Sequence, residues 1–362
     1  MEKIMRKVFL IFLMLLLSVV SYGGFYAKWS VTVNFYHPFD IMIEAKEEPR
    51  PYVYRQLVPA LTRQITNSLS EETKERLTKK FDDKLGFDKI YPVVRENMPS
   101  EKHKFDFYVL SLVIFLFFLV GNFVLRSLLC EILQDEVSGT LTTFLFMLLF
   151  PLLESGGGYY YDLTELVFFF AAAKFALHGN YIGLLILTPF AEFNKESFFF
   201  FLPMLFPIFG KHFDFKKTSG IILSALLIAG SCYLYARMIY AENPGSTTYN
   251  QIFFQLEYLF RPDFYFLTET TYGMPLGGRL YWLHLLMAFW IVKSAWNKLE
   301  DTWKNHFKIA LAINIPLFMF FCAPGEIRNF SLSWLAFLIP TGFYIKNLIS
   351  EKLLEGKSAF RL

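Results

Sequence analysis

Ten apolar runs, separated by short polar stretches, organise the chain. They cover roughly 7–23, 107–129, 139–153, 162–178, 181–193, 197–210, 219–240, 279–295, 308–323 and 331–348. A helix needs about 20 residues to cross a bilayer, within a range of about 17–25. The runs 181–193 and 197–210 are too short to cross alone. They predict thin or broken helices, or the two arms of a re-entrant hairpin. Because they come as a pair, they leave the parity of the other spans unchanged. The expected fold is an all-α polytopic membrane protein with about ten membrane segments, or eight spans and one hairpin. It reads as a single integral membrane domain over 1–362: a first helix (1–23), an external loop (24–106), a transmembrane bundle (107–348) and a cytoplasmic tail (349–362).

The loop 24–106 is the only large hydrophilic stretch and carries 14 Lys/Arg against 13 Asp/Glu. Leu57, Leu61 and Ile65 recur every four residues, with Val58 and Leu69 near the same face. That spacing predicts an amphipathic helix over about 57–69 lying in the outer interface, with Arg55, Arg63, Gln64 and Asn67 on its polar side. Pro59 is tolerated in a first turn. Residues 70–85 begin with Ser70 and place Glu72 in the first turn, a helix start with a dipole-matched acid. This second helix reads as a solvated connector.

Composition agrees with the pattern. Of 362 residues, 54% are hydrophobic, 19% aromatic and 19% charged, and Phe alone numbers 44. Soluble domains average about 25% charged residues. A disordered chain, a disulfide scaffold and an ordinary soluble enzyme are excluded. No basic block with interleaved aromatics is present, which argues against nucleic acid. Cys130, Cys232 and Cys322 are widely spaced within or beside apolar runs and form no CxxC pattern. They read as small buried hydrophobes.

The net charge of +3 matters less than where the cations lie. Lys3, Arg6 and Lys7, then Lys211, Lys216 and Lys217, then Lys298, Lys304 and Lys308, and finally Lys352, Lys357 and Arg361 all fall on one side if every run crosses. Positive loops stay inside, so that side is the cytoplasm and holds both termini. The acidic 130–138 loop is the weak point of this assignment. The first run could also be a cleaved signal peptide ending at Ser21-Tyr22-Gly23; a retained helix fits its length and the nine runs that follow.

Five polar clusters collect on the opposite, external side: Tyr36-His37-Pro38-Phe39-Asp40; Pro51 to Gln56; Gly156 to Asp162, with Glu165 one turn on; Glu192-Phe193-Asn194-Lys195-Glu196; and Gly325 to Asn329. Ionisable groups at membrane depth need a partner or a role. Each cluster has a local explanation, such as a Glu192–Lys195 pair, an exposed Glu326–Arg328 pair or a flexible glycine turn, and Lys174 reads as snorkelling toward the inner surface. Together they predict a polar cavity opening outward, lined by carboxylates and cations. Carboxylates there can act as general base toward a hydroxyl, and Arg or Lys can hold phosphate oxygens and stabilise a departing phosphate.

Several short signatures carry a resemblance: Tyr54-Arg55-Gln56-Leu57-Val58-Pro59, Tyr161-Asp162 before an aromatic helix, Asn194-Lys195-Glu196 and Glu326-Ile327-Arg328. With the layout of first helix, acid-bearing external loop, interfacial helices and bundle, the chain resembles small bacterial members of the GT-C superfamily of lipid-carrier-dependent membrane glycosyltransferases. Thr164 stands where that pattern has a proline two residues after the Tyr-Asp acid. The resemblance implies transfer of a sugar from a polyprenyl-phosphate-linked donor to a glycan, lipid or protein acceptor. It implies surface polysaccharide biosynthesis in the cell envelope, at a bacterial inner membrane. It also implies Asp40 as the base. Arg55, Lys195 and Arg328 are candidate phosphate ligands by charge and side. Tyr161, Asn194 and Glu326 join the substrate-binding set, in which Asp162 and Glu196 orient sugar hydroxyls or hold Mg²⁺ or Mn²⁺ if one is used. His37 reads as incidental. A transporter or flippase for a lipid-linked or anionic solute, built on the short paired helices, and a non-catalytic membrane subunit are the alternatives.

Overall fold

In a computed structural model, residues 2–30, 39–84, 99–246 and 250–359 are described, with side chains from 4 to 351. The chain is an all-α membrane protein, with one small hairpin among the described residues. Its helices are α1 (Glu2–Trp29), α2 (Phe39–Glu44), α3 (Leu57–Asn67), α4 (Glu71–Lys84), α5 (Lys104–Leu133), α6 (Glu136–Leu153), α7 (Tyr160–Leu177), α8 (Tyr181–Asn194), α9 (Phe198–Phe201), α10 (Phe206–Phe209), α11 (Phe215–Ile239) and α12 (Ile252–Phe260), followed by α13 (Trp282–Ala295), α14 (Asp301–Phe321) and α15 (Ser331–Ala359). Each of the ten apolar runs is helical. Among the described residues, five helical stretches are long and apolar enough to cross a membrane: Ile4–Trp29, Glu101–Leu133, Glu136–Leu153, Phe215–Ile239 and Ile327–Glu351.

α5 is the hub: α1, α3, α4, α6, α7 and α15 all pack on it. Its apolar residues run round the whole helix, as a core helix requires, and Leu110, Ile114, Phe118, Leu125 and Leu129 are fully buried. A tight reversal at Gln134, with φ 47°, turns the chain into α6. There Asp135 caps the new helix by accepting from the amides of Val137 and Ser138 at 3.3 and 3.0 Å. The two helices then touch backbone to backbone: a Cβ on Gly139 would sit 2.7 Å from the Cys130 amide nitrogen. Small residues at such contacts let membrane helices approach closely. The outer faces are bare apolar surface, as on α1 (Ile4, Val8, Phe12, Val19).

The paired short runs behave as their length requires. α8 stops at Asn194, and after a turn at Lys195 and Glu196 the next run is broken into α9, a 3₁₀ turn (Leu202–Leu205) and α10. Pro203 and Pro207 stand at the two breaks, where each withholds an amide from the helical ladder.

Four expectations need correction. α4 is not a solvated connector: Leu77 and Phe81 pack on the core, Phe81 meets Tyr108 edge-on at 5.4 Å, and Lys104 pairs with Asp82 at 2.9 Å. In α3 the buried face is Val58, Pro59, Thr62 and Thr66, set on α5, while Leu57 and Leu61 are half-covered and Ile65 is exposed. The apolar stripe is therefore split: Leu57, Val58 and Leu69 pack on the core, and Ile65 faces outward. The last helix does not end near 348 but continues to Ala359. A hairpin of β1 (Thr268–Thr271) and β2 (Met274–Gly277), antiparallel with Thr268 opposite Gly277, lies in a stretch read as plain loop.

Contacts sort the connecting segments onto two ends of the bundle. At one end, Lys174 reaches Glu131, Lys211 reaches Glu300, and Lys346 donates to the Leu133 carbonyl. Lys174 therefore does not merely snorkel. At the other end meet the segments around residues 40–56, 154–162, 192–197, 241–245 and 322–330. That grouping is the one expected for the external face.

Candidate functional site

The site begins with the start of α7. Gly156 and Gly157 carry φ of 78° and 146°, conformations open chiefly to glycine. They turn the chain out of α6 and aim it into Tyr159. The Tyr159 amide donates to Asp162 Oδ2 at 2.9 Å, closing a capping box at the helix N-terminus. A helix N-terminus favours a carboxylate, and Asp162 is fixed there with its side chain 1% exposed.

Two cations converge on it from distant parts of the chain. Lys195 Nζ lies 2.8 Å from Asp162 Oδ1, and Arg328 Nη1 lies 3.0 Å from Oδ2. Lys195 also reaches Glu165 Oε2 at 2.9 Å, one turn further along α7. Ser197 donates to the same oxygen at 3.1 Å. Arg328 Nη2 reaches Glu326 Oε2 at 3.2 Å, and Asn329 donates to that oxygen at 2.8 Å. The Glu326–Arg328 pair is thus buried rather than an exposed couple. Lys195 does not pair with Glu192, its neighbour in sequence, but bridges two carboxylates of α7.

A second unit adjoins the first. Arg55 grips Glu196 with two donors, Nε at 2.9 Å and Nη2 on the other oxygen. The guanidinium lies 4.3 Å from the Tyr161 ring centroid and 5.2 Å from that of Tyr52. Lys195 sits over the other reach of Tyr161 at 5.4 Å. Tyr161 stacks on Tyr159 at 5.1 Å, and Arg328 lies 4.7 Å over Tyr159. Cations on aromatic faces gain about 2 kcal/mol or more when water is excluded. Asn194 secures the α8 end by accepting from Thr164 and donating to the Tyr161 carbonyl at 3.3 Å. Thr164, where the resembling family has proline, is therefore a hydrogen-bonding residue of this site.

Part of this network borders one cavity of about 660 Å³, with Asp162, Glu165 and Asn194 behind its wall. Its polar wall carries Arg55, Tyr161, Glu192, Lys195, Glu196, Glu326 and Arg328; its apolar wall carries Phe199, Phe200, Leu234, Leu317 and Phe321. That volume lies within the usual range of about 300–1,000 Å³ for small-molecule sites. Several buried polar atoms around it have no hydrogen-bond partner in the protein: Arg328 Nε, the Tyr161 hydroxyl, Glu192 Oε2 and both Glu154 carboxylate oxygens. Burial, reinforced by the Asp162 charge, holds the Glu154 carboxyl well above the usual carboxylate range.

Of the residues singled out from the sequence, Arg55, Tyr161, Asp162, Asn194, Lys195, Glu196, Glu326 and Arg328 come together. Asp40 does not join them: it accepts from the Ser100 amide at 3.2 and 3.3 Å, before α5, and is absent from the cavity wall. His37 lies outside the described residues. Asp162 and Glu196 are no cation pair as they stand, because Lys195 and Arg328 occupy the first and Arg55 the second. Among the described residues no group of three His, Cys, Asp or Glu is arranged to hold a metal. Sequence reasoning left Glu154, Glu165 and Glu192 out of the site set. The i,i+3 spacing of Asp162 and Glu165 was the available signal for Glu165.

Comparisons with protein-family models, with curated proteins and with solved structures found no match.

Proposed function

We propose that the protein is a membrane glycosyltransferase of the GT-C type. It moves a sugar from a polyprenyl-phosphate carrier to a glycan, lipid or protein acceptor on the extracytoplasmic side of a bacterial inner membrane, with ten membrane segments and both termini in the cytoplasm. One observation supports this reading above the others. Arg55, Lys195 and Arg328 line one cavity, and two of its wall residues carry a buried donor with no acceptor in the protein: Arg328 Nε, which lies beside Gly157, and the Tyr161 hydroxyl. An unpaired buried polar group costs about 1–3 kcal/mol, and a phosphate drawn into the wall between the cations would give the Tyr161 hydroxyl its acceptor. The carboxylates around the three cations keep them ionised and positioned before substrate arrives. The apolar half of the wall suits the lipid part of the same ligand.

In this reading an acceptor hydroxyl gives its proton to an ionised carboxylate of the cavity wall as its oxygen bonds to the anomeric carbon. The bond from that carbon to the phosphate oxygen breaks. The carrier phosphate departs as an anion facing Arg328, Lys195 and Tyr161. Asp40 is not that base, because it accepts from the Ser100 amide away from the cavity wall.

Tyr161→Phe is the sharpest test. It removes a hydroxyl that bonds nothing in the protein, so thermal stability in detergent should hold or rise. Binding of a long-chain polyprenyl phosphate should weaken by about tenfold or more, the worth of one hydrogen bond to a charged group. Unchanged binding would remove the phosphate from this wall. Transport is the second reading, favoured by the short helices that meet at Asn194-Lys195-Glu196. Release of free polyprenyl phosphate from a sugar-loaded carrier separates the two, because transport alone leaves the carrier bond intact.

A further inference from the structure

The cavity is bordered by residues that are themselves on the outside of the bundle. Phe200, Leu234 and Phe321 line it and are yet 37%, 58% and 55% exposed. Such side chains border an opening, not a closed wall. They come from α9, α11 and α14. α11 packs on α8 and the broken α9–α10 stretch, and α14 packs on α15, α12 and that same stretch. The two long helices share this floor but are not packed along each other. Both line the cavity with apolar positions one helical turn apart: Gly230 and Leu234 on one, Leu317 and Phe321 on the other.

We infer that the gap between α11 and α14 is a lateral slot through which the hydrocarbon chain of an anionic lipid runs from the bilayer to the cavity. The inference deepens the reading above and rests on its lipid phosphate. Charge supports the choice of occupant. The slot ends at Arg328 and Lys195, so a ligand threading it would place an apolar tail in the hydrocarbon and an anionic head on the cations. A free nucleotide or a soluble phosphate would leave the apolar stretch unused. From Asn314 to Phe321 the slot follows α14 for about 10 Å, at about 1.5 Å per residue. Gly230 opens its α11 side. A Cβ there would meet only the Phe199 ring edge, at 3.9 Å, so a larger side chain would extend into the slot without striking backbone.

The test uses the full chain in nanodiscs and compares a long-chain polyprenyl phosphate with a water-soluble short-chain prenyl phosphate. Gly230→Trp should weaken the long-chain ligand by about tenfold or more and leave the short-chain ligand unchanged. Gly220→Trp, on the same helix at an exposed site with nothing within 4 Å, is the matched control and should alter neither. Equal affinity of Gly230→Trp and unmodified protein for the long chain overturns the slot, as does equal weakening of both ligands. Failure of the unmodified protein to bind either ligand would instead refute the phosphate reading of the cavity, and the slot's occupant with it. Should Gly230→Trp not fold, a polyprenyl phosphate with a photoreactive group near the head end decides the matter on the unmodified chain. Adducts at 230–234 and 317–321 are expected, and adducts only elsewhere overturn the proposal.

Discussion

The two ends of the bundle handle charge in opposite ways. At the end with the cavity, Lys195, Asp162 and Arg328 have side chains 7%, 1% and 7% exposed. At the other end, Arg126 pairs with a Glu136 that is 78% exposed, and Lys211 pairs with a Glu300 that is 63% exposed. Surface pairs are cheap to form and worth about 0–1 kcal/mol. Buried ones pay several kcal/mol of desolvation per ion, which their attraction recovers only with near-complete hydrogen bonding. The far end avoids that cost by leaving its charges exposed. The cavity end buries its ions and still leaves donors without a partner in the protein, a poor arrangement for stability alone. The difference identifies the cavity end as the one where polarity is kept for a ligand.

The largest effect should come from breaking the buried network at its centre. Asp162 compensates two buried cations and closes the α7 cap. Asp162→Asn should cost about 3–5 kcal/mol, the range for a buried charge left without its partner, read as a fall in thermal midpoint in detergent. A loss under about 1 kcal/mol would place the network in the surface class and dissolve the contrast.

A pH effect sharpens the comparison next. Glu48, in the connection between α2 and α3 and 3% exposed, has its carboxyl raised to about 7 by burial, against a smaller opposing pull from Arg55. An unfolded Glu titrates near 4.3. Between these values the folded state holds the extra proton, so stability should fall as pH rises from about 4.5 to about 7 and then level off. The loss is at most about 4 kcal/mol, at about 1.4 kcal/mol per pKa unit. Glu48→Gln should flatten that slope and stabilise the protein at pH 8, measured by thermal unfolding across the pH series. An unchanged slope would assign the pH response to other groups.

A steric test follows. At Gly158 a Cβ would lie 2.6 Å from the Trp29 ring and 2.9 Å from Phe25. Gly158→Ala should cost about 1–3 kcal/mol, the usual penalty of overpacking. Because Trp29 anchors on the Glu154 carbonyl at 2.7 Å, it should also disturb the start of α7 and weaken lipid phosphate binding. A stability loss with binding intact would separate α1 from the site.

Much of the cavity end was legible because charged residues stand out at the borders of apolar runs. Asp162, Lys195, Glu196 and Arg328 are visible in this way, and each joins the site. Their pairings were not legible. Sequence proximity favours Glu192 with Lys195, whereas Lys195 finds Asp162 across 33 positions because α7 and α8 pack side by side. Asp40 was misplaced for the opposite reason. The 24–106 loop has acids throughout, and no periodicity distinguishes one that faces a cavity from one that receives an amide. Glu154 stayed hidden because it directly follows an apolar run and reads as its boundary. The hairpin was missed because its strands have four residues each and lie between stronger apolar signals.

The smallest predicted effect bears hardest on the comparison, since it requires the end away from the cavity to be as ordinary as it looks. Glu136 is bonded by Arg126, yet Arg126 Nε also donates to Thr140 at 2.9 Å. Loss of the carboxylate leaves the guanidinium with that partner and with water. Glu136→Gln should therefore shift stability by about 0.5 kcal/mol or less, and raising salt should shrink even that, because exposed charges are screened within about 10 Å at 0.1 M salt. Asp162→Asn should be insensitive to the same salt series, since no mobile ion reaches a side chain enclosed in protein. If both variants responded to salt alike, water would have free access to the Asp162 network, and the unpaired donors around the cavity would no longer call for a ligand.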